Sequence, residues 1–516
     1  MDGAALAVAL AVARPSGRVA HARLRKFYPA GPVVYAHRHG AFTGARAIVG
    51  WPLASGLSTL DQPATAPTMK PSLPTVSLAA DAVGQCDPLP QSGENFDPAL
   101  LFDNRGMRLR QRAQYVATLV AHDREQGRMP YHRQICSPAD RQVLLRDDAG
   151  GAARPVLMFG SNNYLGLANH PHVRERVGRA IAEYGTGIGG PPFLNGYLRI
   201  TRELEERLAA HKGQEDAMIF PSGFSANLAL PGALARNGDR IYYDAYSHAS
   251  WFDGLKLAGL SSRRFPHNDL QRLTHWLERS GRCEQDTFVA VEGVYSMDGD
   301  LAPLDQLVPL CKRHSALLVV DDAHGTGVLG AHGGGSGEHF GVAQGIDVLM
   351  GTFSKTLAVN GGFVCASRPL IEYLRWISRS YMFSAALPPA TIAAAHGALD
   401  VIAAEPERMR QLHANAAGLC ARLNALPWGL EVSTPSAILI VHTPPGMDAK
   451  AAAMRLEQLG LFVNPVHFPA VPRGQERLRI SVMATHTEQD LDRLAEGIDR
   501  IWGEHAHGDA RLRAQA

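Results

Sequence analysis

The segment Gly351-Thr352-Phe353-Ser354-Lys355-Thr356 places a lysine where it could do covalent chemistry. It follows the mostly apolar run 346–350, which predicts a β-strand. A lysine held at a strand end among small residues is partly desolvated, which lowers its pKa and frees the amine for Schiff-base chemistry. An arbitrary lysine is more often a solvated loop residue, so the interpretation depends on what accompanies Lys355.

Two carboxylates and a histidine follow a second apolar run, at 317–320. This run predicts a buried parallel strand, and ligands of open α/β sheets lie at the carboxyl ends of such strands, where Asp321 and His324 fall. A carboxylate there can keep a pyridine nitrogen protonated, which makes the ring an electron sink, as pyridoxal phosphate (PLP) chemistry requires. Without the lysine, the pair Asp321 and Asp322 would fit a helix cap or a metal site equally well.

Five further motifs accompany these two. They are Ser161-Asn162-Asn163-Tyr164-Leu165-Gly166-Leu167, Ser222-Gly223-Phe224-Ser225-Ala226-Asn227, Ser247-His248-Ala249-Ser250, Glu292-Gly293-Val294-Tyr295-Ser296-Met297-Asp298-Gly299-Asp300 and Arg477-Leu478-Arg479-Ile480-Ser481. Together and in this order, the motifs resemble the α-oxoamine synthase family of fold-type I PLP enzymes, from about residue 159 to about residue 502. Members of that family include 8-amino-7-oxononanoate synthase, 2-amino-3-ketobutyrate CoA ligase, 5-aminolevulinate synthase and serine palmitoyltransferase.

The resemblance implies a role in cofactor binding for each of five side chains. Lys355 would carry PLP, Asp321 would keep its ring charged, and His248 would stack on one face of the ring. Ser296 and His324 would hydrogen-bond the phenolic oxygen of the ring. Lys355, His248, Asp321 and His324 form the expected catalytic set, and a lone histidine such as His248 would otherwise be an ordinary loop residue.

The phosphate of the cofactor is expected at Ser222-Gly223-Phe224. This segment follows the short apolar strand predicted at 217–220 and opens a predicted helix, and a helix N-terminus offers free amides and a positive dipole end. Taken alone, the segment could equally be an ordinary βα turn. In the family it acts together with residues that correspond to Thr352 and Ser354.

Arg479 predicts a substrate with a carboxylate. A guanidinium can hold a carboxylate through two parallel hydrogen bonds, which fixes its orientation as well as its charge. The resemblance implies that Arg479 binds the carboxylate of an amino acid with the help of Asn162. Considered by itself, Arg479 would be a surface charge on an edge strand.

The implied reaction is a decarboxylative condensation of an amino acid with an acyl thioester, carried by CoA or by a carrier protein, that yields an α-amino ketone. One alternative is another fold-type I enzyme such as an aminotransferase. The other is a non-catalytic regulatory subunit, against which the presence of Lys355, Asp321 and His248 argues. Members of the family are typically homodimers with shared active sites, so the resemblance implies a homodimer.

Three departures from the family pattern concern the thioester donor. Pro191-Pro192-Phe193 replaces a small or arginine-containing segment, Thr356-Leu357-Ala358 replaces a turn that usually contains glycine, and Ala385 replaces a Thr or Ser that reaches the phosphate in the neighbouring subunit. We therefore hypothesise an unusual acyl donor, borne by a carrier protein in a biosynthetic pathway.

Helices and strands alternate from 159 to 367, which predicts an α/β fold with a mainly parallel sheet between helices. This large PLP-binding domain is expected at 159–387, and a smaller α+β domain with a flexible tail at 388–516. A helix and two strands are predicted within 96–158. Residues 1–95 are rich in Ala, Pro and Gly, and we expect them to be disordered or to precede a natural start near Met69.

Composition excludes several classes of protein. The chain has 516 residues, of which 46% are hydrophobic and 19% charged, and its formal net charge of +2 gives no reason to expect nucleic acid or an anionic membrane as partner. The apolar run at 4–13 is too short for a bilayer, which needs about 20 residues, and no basic segment precedes it. The 6 cysteines show no metal-binding spacing, so we expect reduced thiols and a cytoplasmic enzyme.

Overall fold

A computed structural model of the chain describes residues 107–146, 151–280, 285–468 and 470–515. The expected disordered extension at 1–95, the apolar run at 4–13 and the alternative start at Met69 lie outside the described residues. Cys86 and Cys283 lie outside them as well, and the four described cysteines are free. Among the helices of the described ranges, none combines the length and apolar composition that a membrane crossing needs.

The N-terminal part of the described chain is a helix followed by three short strands. These are α1 (Leu109–Glu125), β1 (Gln134–Ile135), β2 (Gln142–Arg146) and β3 (Arg154–Met158). The strands pair antiparallel in sequence order. The helix predicted within 97–125 therefore starts at Leu109 in its described part, and the predicted strand pair is present.

The middle of the chain alternates helices and strands as predicted. Its elements are α2 (Pro171–Tyr184), α3 (Arg199–Lys212), β4 (Asp216–Phe220), α4 (Gly223–Leu234), β5 (Arg240–Asp244), α5 (Ala249–Ala258), β6 (Arg263–Phe265), α6 (Leu270–Ser280), β7 (Thr287–Glu292), α7 (Leu304–Arg313), β8 (Leu317–Asp321), α8 (Ser336–His339), β9 (Val348–Thr352), β10 (Gly362–Ala366), α9 (Arg368–Ile377) and α10 (Arg379–Met382). The strand expected at 346–350 is shifted, since it begins at Val348 and includes Thr352.

Seven of these strands form one sheet in the order β4-β10-β9-β8-β7-β5-β6. The pairs between β9 and β6 are parallel, whereas β10 runs antiparallel to both of its neighbours. The prediction of an α/β fold with a mainly parallel sheet is confirmed. Because parallel strands all end at the same edge, the residues that follow β5, β7, β8 and β9 meet there.

The sheet is buried on both faces. Along β8, Leu318 and Val320 belong to one hydrophobic core and Val319 to the other, as the alternation of side chains across a strand requires. This double burial explains why the strand is an unbroken apolar run in the sequence.

The C-terminal part contains two long helices and a small sheet. Its elements are α11 (Pro389–Ala404), α12 (Glu407–Asn424), β11 (Ile438–His442), α13 (Ala449–Gln458), β12 (Leu461–Phe462), β13 (Asn464–Val466), β14 (Arg477–Ser481) and α14 (Glu488–Gln515). Helices α11 and α12 are separate, because Pro406 at the start of α12 has no amide hydrogen with which to continue α11. The small sheet has the order β11-β14-β13, so β14 is a central strand and not an edge strand.

The N-terminal segment packs on this C-terminal part. Strand β3 pairs in parallel with β12, which makes a sheet of the order β1-β2-β3-β12. Arg133 and Arg154 both reach the carboxylate of Glu457 on α13, each at 2.7 Å. The segment before residue 159 is thereby held against the C-terminal part of the chain, and both border the cavity described below.

Candidate active site

Two neighbouring parallel strands bring Lys355 and Asp321 to the same edge of the central sheet. Asp321 ends β8, and Lys355 follows the end of β9. A cavity of about 560 Å³ opens at this edge. Its lining includes six of the twelve predicted site residues, namely Asn162, His248, Ser296, His324, Lys355 and Arg479. Asp321 and the predicted phosphate residues are not part of this lining.

The turn around Lys355 is tight. The amide of Ala358 donates to the carbonyl of Lys355 at 2.9 Å, and Ala358 has a φ of 60°, a conformation that favours glycine. The segment Thr356-Leu357-Ala358 thus forms this turn without a glycine, at some cost in backbone strain.

The surroundings of Lys355 lower its pKa. Burial is the largest cause and brings the pKa to about 8, and the positive charge of Arg479 acts in the same direction. The carboxylates of Asp321 and Glu292 oppose the shift without cancelling it. A useful fraction of the amine is therefore free at neutral pH.

A chain of hydrogen bonds holds Asp321. Its Oδ2 accepts from Asn227 Nδ2 at 2.6 Å, and its Oδ1 accepts from the amide of Ala323 at 3.0 Å. Asn227 also donates to Ser250 Oγ at 3.1 Å, and Ser250 Oγ lies 2.6 Å from His248 Nδ1. The carboxylate predicted to hold the ring nitrogen and the imidazole predicted to stack on the ring thus share one network.

The second carboxylate of the pair is structural. Asp322 is fully buried and forms an ion pair with Lys212 at 2.5 Å, and it also accepts from Ser336 Oγ at 2.6 Å. Among the residues that the structure describes, no cluster of His, Cys, Asp and Glu could hold a metal ion. The two carboxylates of the pair therefore have different partners in the folded chain.

The predicted phosphate site lies where α4 begins against the end of β9. Ser222 caps the helix, since its Oγ accepts from the amide of Ser225 at 3.0 Å. The amides of Gly223 and Phe224 belong to the first turn, where no intrahelical acceptor exists. A Cβ at Gly223 would lie 2.9 Å from Thr352, so only glycine lets the helix start approach this strand.

The hydroxyls of Thr352 and Ser354 complete the predicted phosphate site. Thr352 Oγ1 donates to the carbonyl of Gly361 at 2.9 Å and lies 2.9 Å from Ser354 Oγ. Thr352 is buried, whereas Ser354 is exposed. Free amides, a helix dipole and hydroxyls form the kind of cradle that binds a phosphate.

Arg479 is buried and held from three sides. Its Nε donates to the carbonyl of Ser296 at 2.6 Å, and its Nη1 donates to Ser481 Oγ at 2.9 Å. Both terminal nitrogens lie 3.2 Å from Asn162 Oδ1. The alternative of a surface charge on an edge strand is excluded for Arg479, because it lies in the middle of a central strand with only 4% of its surface exposed.

His324 lies beside this guanidinium as a neutral imidazole. Its Nδ1 is 2.7 Å from the hydroxyl of Tyr164, which also donates to Asn162 Oδ1 at 3.2 Å. Burial lowers the pKa of His324 well below its usual value, and the charges of Lys355 and Arg479 lower it further. Because Nδ1 is engaged by Tyr164, the neutral ring of His324 can offer only its Nε2 to the cavity.

These residues fit PLP. The donors at the α4 N-terminus suit its phosphate, Asp321 suits its ring nitrogen, and the Lys355 amine suits its aldehyde. Glu292 supplies a further observation, because its Oε1 is buried without a hydrogen-bond partner among the described residues. Burial raises the pKa of Glu292 well above its usual value, and the charge of the neighbouring Asp321 raises it further.

The sequence did not reveal the outer end of the cavity. Tyr131 and His467 line it, and the hydroxyl of Tyr131 lies 2.5 Å from His467 Nε2. His467 Nδ1 lies 2.8 Å from the carbonyl of Phe468, so Nδ1 carries the hydrogen and Nε2 accepts from Tyr131. Neither residue belongs to a recognised motif, whereas Asn227 and Tyr164 do and could have been assigned roles.

Comparisons with known proteins agree with this geometry. A family model for aminotransferase class I and II matches residues 154–498. The chain is 41% identical over 364 residues to the putative 8-amino-7-oxononanoate synthase of Desulfovibrio desulfuricans, which covers 70% of this chain and 92% of that protein. It is 38% identical over 385 residues to the serine palmitoyltransferase of Sphingobacterium spiritivorum, which covers 74% of this chain and 94% of that protein.

A solved structure shows the same fold. The serine palmitoyltransferase of Sphingomonas wittichii superimposes with a TM-score of 0.72 at 32% identity, over 77% of this chain and 99% of that one. The chain belongs to the α-oxoamine synthase family of PLP-dependent, fold-type I acyltransferases, which condense an amino acid with an acyl thioester and release CO2.

Proposed function

We propose that Lys355, Asp321 and Arg479 carry out this condensation within the 560 Å³ cavity. One observation carries the proposal: Lys355 and Asp321 lie at the ends of adjacent parallel strands, and the buried Arg479 and its partner Asn162 line the cavity that opens at Lys355. A lysine, an acid for the ring nitrogen and a carboxylate receptor are the three groups that the reaction requires.

The cofactor would be held by residues from five strand ends. Gly223, Phe224, Thr352 and Ser354, with the cap Ser222, would bind the phosphate. Ser296 and His324 would bind the phenolic oxygen, His248 would lie on one ring face, and Asp321 would bind the ring nitrogen. PLP, when bound, supplies an electron sink for the negative charge that develops at the Cα of the amino acid.

Lys355 moves the proton of the substrate. Its Nζ can take the proton from Cα only when the amine is uncharged, and the lowered pKa of Lys355 provides that state near neutral pH. Burial of the surrounding groups keeps competing water away from the amine.

Arg479 holds the carboxylate of the amino acid until it leaves as CO2. Asn162 and Ser481 fix the plane of the guanidinium, so it is oriented before the substrate arrives. The side chain of the amino acid and the thioester would occupy the outer cavity, whose lining there is largely apolar (Pro130, Met297, Pro465, Val466, Phe468 and Ala470).

The donor is proposed to be an acyl chain on a carrier protein. The support is the departure from the family pattern at 191–193, where Phe193 lies edge-on to Trp376 at 5.1 Å, and Trp376 and Leu194 are both exposed. Turnover with a matched acyl group on CoA and on a carrier protein compares the two donors. Efficient turnover of ordinary acyl-CoAs alone would refute dependence on a carrier.

We also propose a homodimer. Phe224, Phe252 and Phe383 expose 47%, 51% and 73% of their surfaces, and Phe224 belongs to the phosphate cradle itself. The helices that carry them are adjacent, since Ser380 Oγ donates to the carbonyl of Ser225 at 2.8 Å. Exposed aromatic residues beside a site mark an interface, and a second copy would cover them. Light scattering should give twice the 55.6 kDa of one chain, and Phe383→Glu should give monomers.

The assignment of Lys355 is tested by adding PLP to the purified protein. We expect a visible absorption band that Lys355→Ala abolishes, and quantitative release of CO2 and free thiol when an amino acid and a thioester are supplied. Formation of a 2-oxo acid instead would identify an aminotransferase. A band that persists in Lys355→Ala would refute the role of this lysine.

A further inference from the structure

His267 lies outside the cavity, between the two loops that carry His248 and Ser296. Its Nδ1 is 3.0 Å from Asp244 Oδ1, and its Nε2 is 2.8 Å from Asp300 Oδ2. Ionised carboxylates only accept hydrogen bonds, so both ring nitrogens of His267 must donate. Only the charged imidazolium carries a hydrogen on both nitrogens.

Two aromatic rings enclose this imidazolium. Tyr246 stacks on it with a centroid distance of 4.2 Å and an interplanar angle of 14°, and Tyr295 meets it edge-on at 4.4 Å. The side chain of His267 is 20% exposed. A cation over a tyrosine face is attracted by the ring, so the enclosure favours the charged form.

Asp244 connects His267 to the loop of His248. It ends β5, is fully buried, and accepts from the amide of Tyr246 at 2.8 Å. Its other oxygen accepts from the amide of Asn268 at 2.8 Å. The carboxylate thus fixes the start of the loop that leads directly to His248.

Asp300 connects His267 to the turn that carries Ser296. The amide of Tyr295 donates to the carbonyl of Asp300 at 2.9 Å, which closes this turn. Asp300 Oδ2 also accepts from Asn268 Nδ2 at 3.2 Å. The turn therefore has a charged anchor on the side that faces away from the cavity.

We infer that His267 is a positioning residue that ties the loop of His248 to the turn of Ser296 and sets the spacing of these two groups around the cofactor. The inference rests on the proposed roles of His248 and Ser296 in holding PLP. His267 does not line the cavity, so it acts through its two carboxylate partners and through the rings of Tyr246 and Tyr295.

The charge of His267 persists through neutral pH. Burial alone would lower its pKa, but the hydrogen bonds and charges of Asp244 and Asp300 outweigh burial and raise the pKa to about 9. The groups that face it are these two carboxylates, the phenols of Tyr246 and Tyr295, and the neutral amide of Asn268. The contribution of the ion pairs is complete below pH 6.5 and is lost as the pH rises through about 9.

Two substitutions of His267 each preserve one of its two hydrogen bonds, either to Asp244 or to Asp300. His267→Asn keeps a donor near the position of Nδ1, and His267→Gln keeps one near Nε2, but neither can carry the charge or reach both carboxylates. His275→Asn, on the exposed face of α6, is the matched control. We expect both His267 variants to bind PLP about tenfold more weakly in fluorescence titrations of the apoprotein, and to lose kcat with little change in the KM for the amino acid.

Asp300→Asn supplies a directional test. It keeps an acceptor for Nε2 but removes one charge, so the pKa of His267 should fall, and the alkaline decline of kcat and of PLP affinity should move to lower pH. An NMR titration of His267 measures that pKa directly, in the wild type and in the variant.

Three results would overturn the inference: wild-type PLP affinity and pH profile in both His267 variants, a loss only in proportion to the unfolded fraction seen by circular dichroism, or titration of His267 near pH 6.5 in the wild type. Failure of the wild type and His275→Asn to bind PLP would instead count against the proposed function. The two failures are thus distinguishable within one set of samples.

Discussion

The central sheet and the small C-terminal sheet both contribute to the cavity, but they place their residues in different ways. Lys355 and Asp321 lie at the carboxyl ends of adjacent parallel strands. Residues that follow such strands all lie at one edge of the sheet, whatever their type. Arg479 stands in the middle of β14, between β11 and β13, and its direction depends on Asn162, far away in the chain. The first arrangement follows from local order, and the second from packing between distant segments.

This difference separates two kinds of contribution. In the proposed function, residues at the central edge act on the reacting atoms, so their loss should reduce kcat. Residues of the small sheet would receive the substrate, so their loss should raise KM first. Matched substitutions in each region can confirm or contradict this division between effects on kcat and effects on KM.

The largest effect is expected from the neighbours Asp321 and Asp322. Asp321→Asn should reduce kcat by about 10³-fold with unchanged stability, because it removes the charge opposite the ring nitrogen. Asp322→Asn should instead lower the free energy of unfolding by about 3–5 kcal/mol, since it leaves Lys212 buried without its ionic partner. Steady-state kinetics and urea unfolding measure the two effects, and exchanged phenotypes would contradict the assignment.

A second comparison uses the two arginines of β14. Arg479→Lys should raise the KM for the amino acid by about 10–100-fold, because an ammonium cannot reproduce two parallel hydrogen bonds. Arg477 pairs with Asp298 at 2.6 Å and does not line the cavity, so Arg477→Lys should leave KM close to that of the wild type. If Arg479→Lys changed kcat more than KM, Arg479 would act on the reacting atoms, as the residues of the central edge are proposed to do.

Asn227 should give a smaller effect. Asn227→Ala removes the 2.6 Å hydrogen bond to Asp321 and the bond to Ser250, and should weaken PLP binding by about tenfold. Titration of the apoprotein with PLP measures this change. Asn415→Ala removes an equally buried asparagine far from the site, and a similar loss of affinity in that variant would show that the effect is structural.

The smallest effect concerns pH and links the two regions. Attachment of the PLP aldehyde to Lys355 would require the uncharged amine, so PLP uptake by the apoprotein should accelerate as the pH rises through about 8 and then level off. Arg479→Met removes a charge that lowers this pKa, so the profile should move to higher pH and uptake at pH 7 should slow a few-fold. Stopped-flow absorbance provides the rates, and a pH-independent rate would contradict the free amine.

Much of the site was predictable because its residues belong to contiguous motifs. The apolar run before Asp321 and the small residues around Lys355 predict where β8 and β9 end, to within two residues of the ends in the structure. Asn227 lay within a recognised motif but carried no visible role, since its partner Asp321 is on another strand. Arg479 was recognised by resemblance alone, because a single arginine in a strand pattern gives no sign of its burial.

Other features were beyond the reach of sequence reasoning. Tyr131 and His467 approach each other across 336 positions, and no periodicity connects them. His267 has an ordinary loop sequence, and only the folded chain brings Asp244 and Asp300 to its two nitrogens. The short strand β12 was missed as well, because it exists only by pairing with β3.

Strand runs, turn residues and motif order were enough to specify the fold class, the family and the lysine, because these depend on short-range preferences and on the parallel arrangement of consecutive βα units. Which carboxylate is structural, which arginine is buried and which histidine is charged depended on the folded molecule. Burial and charge at one residue are set by neighbours from distant segments, and those neighbours meet only when the sheets and helices pack together.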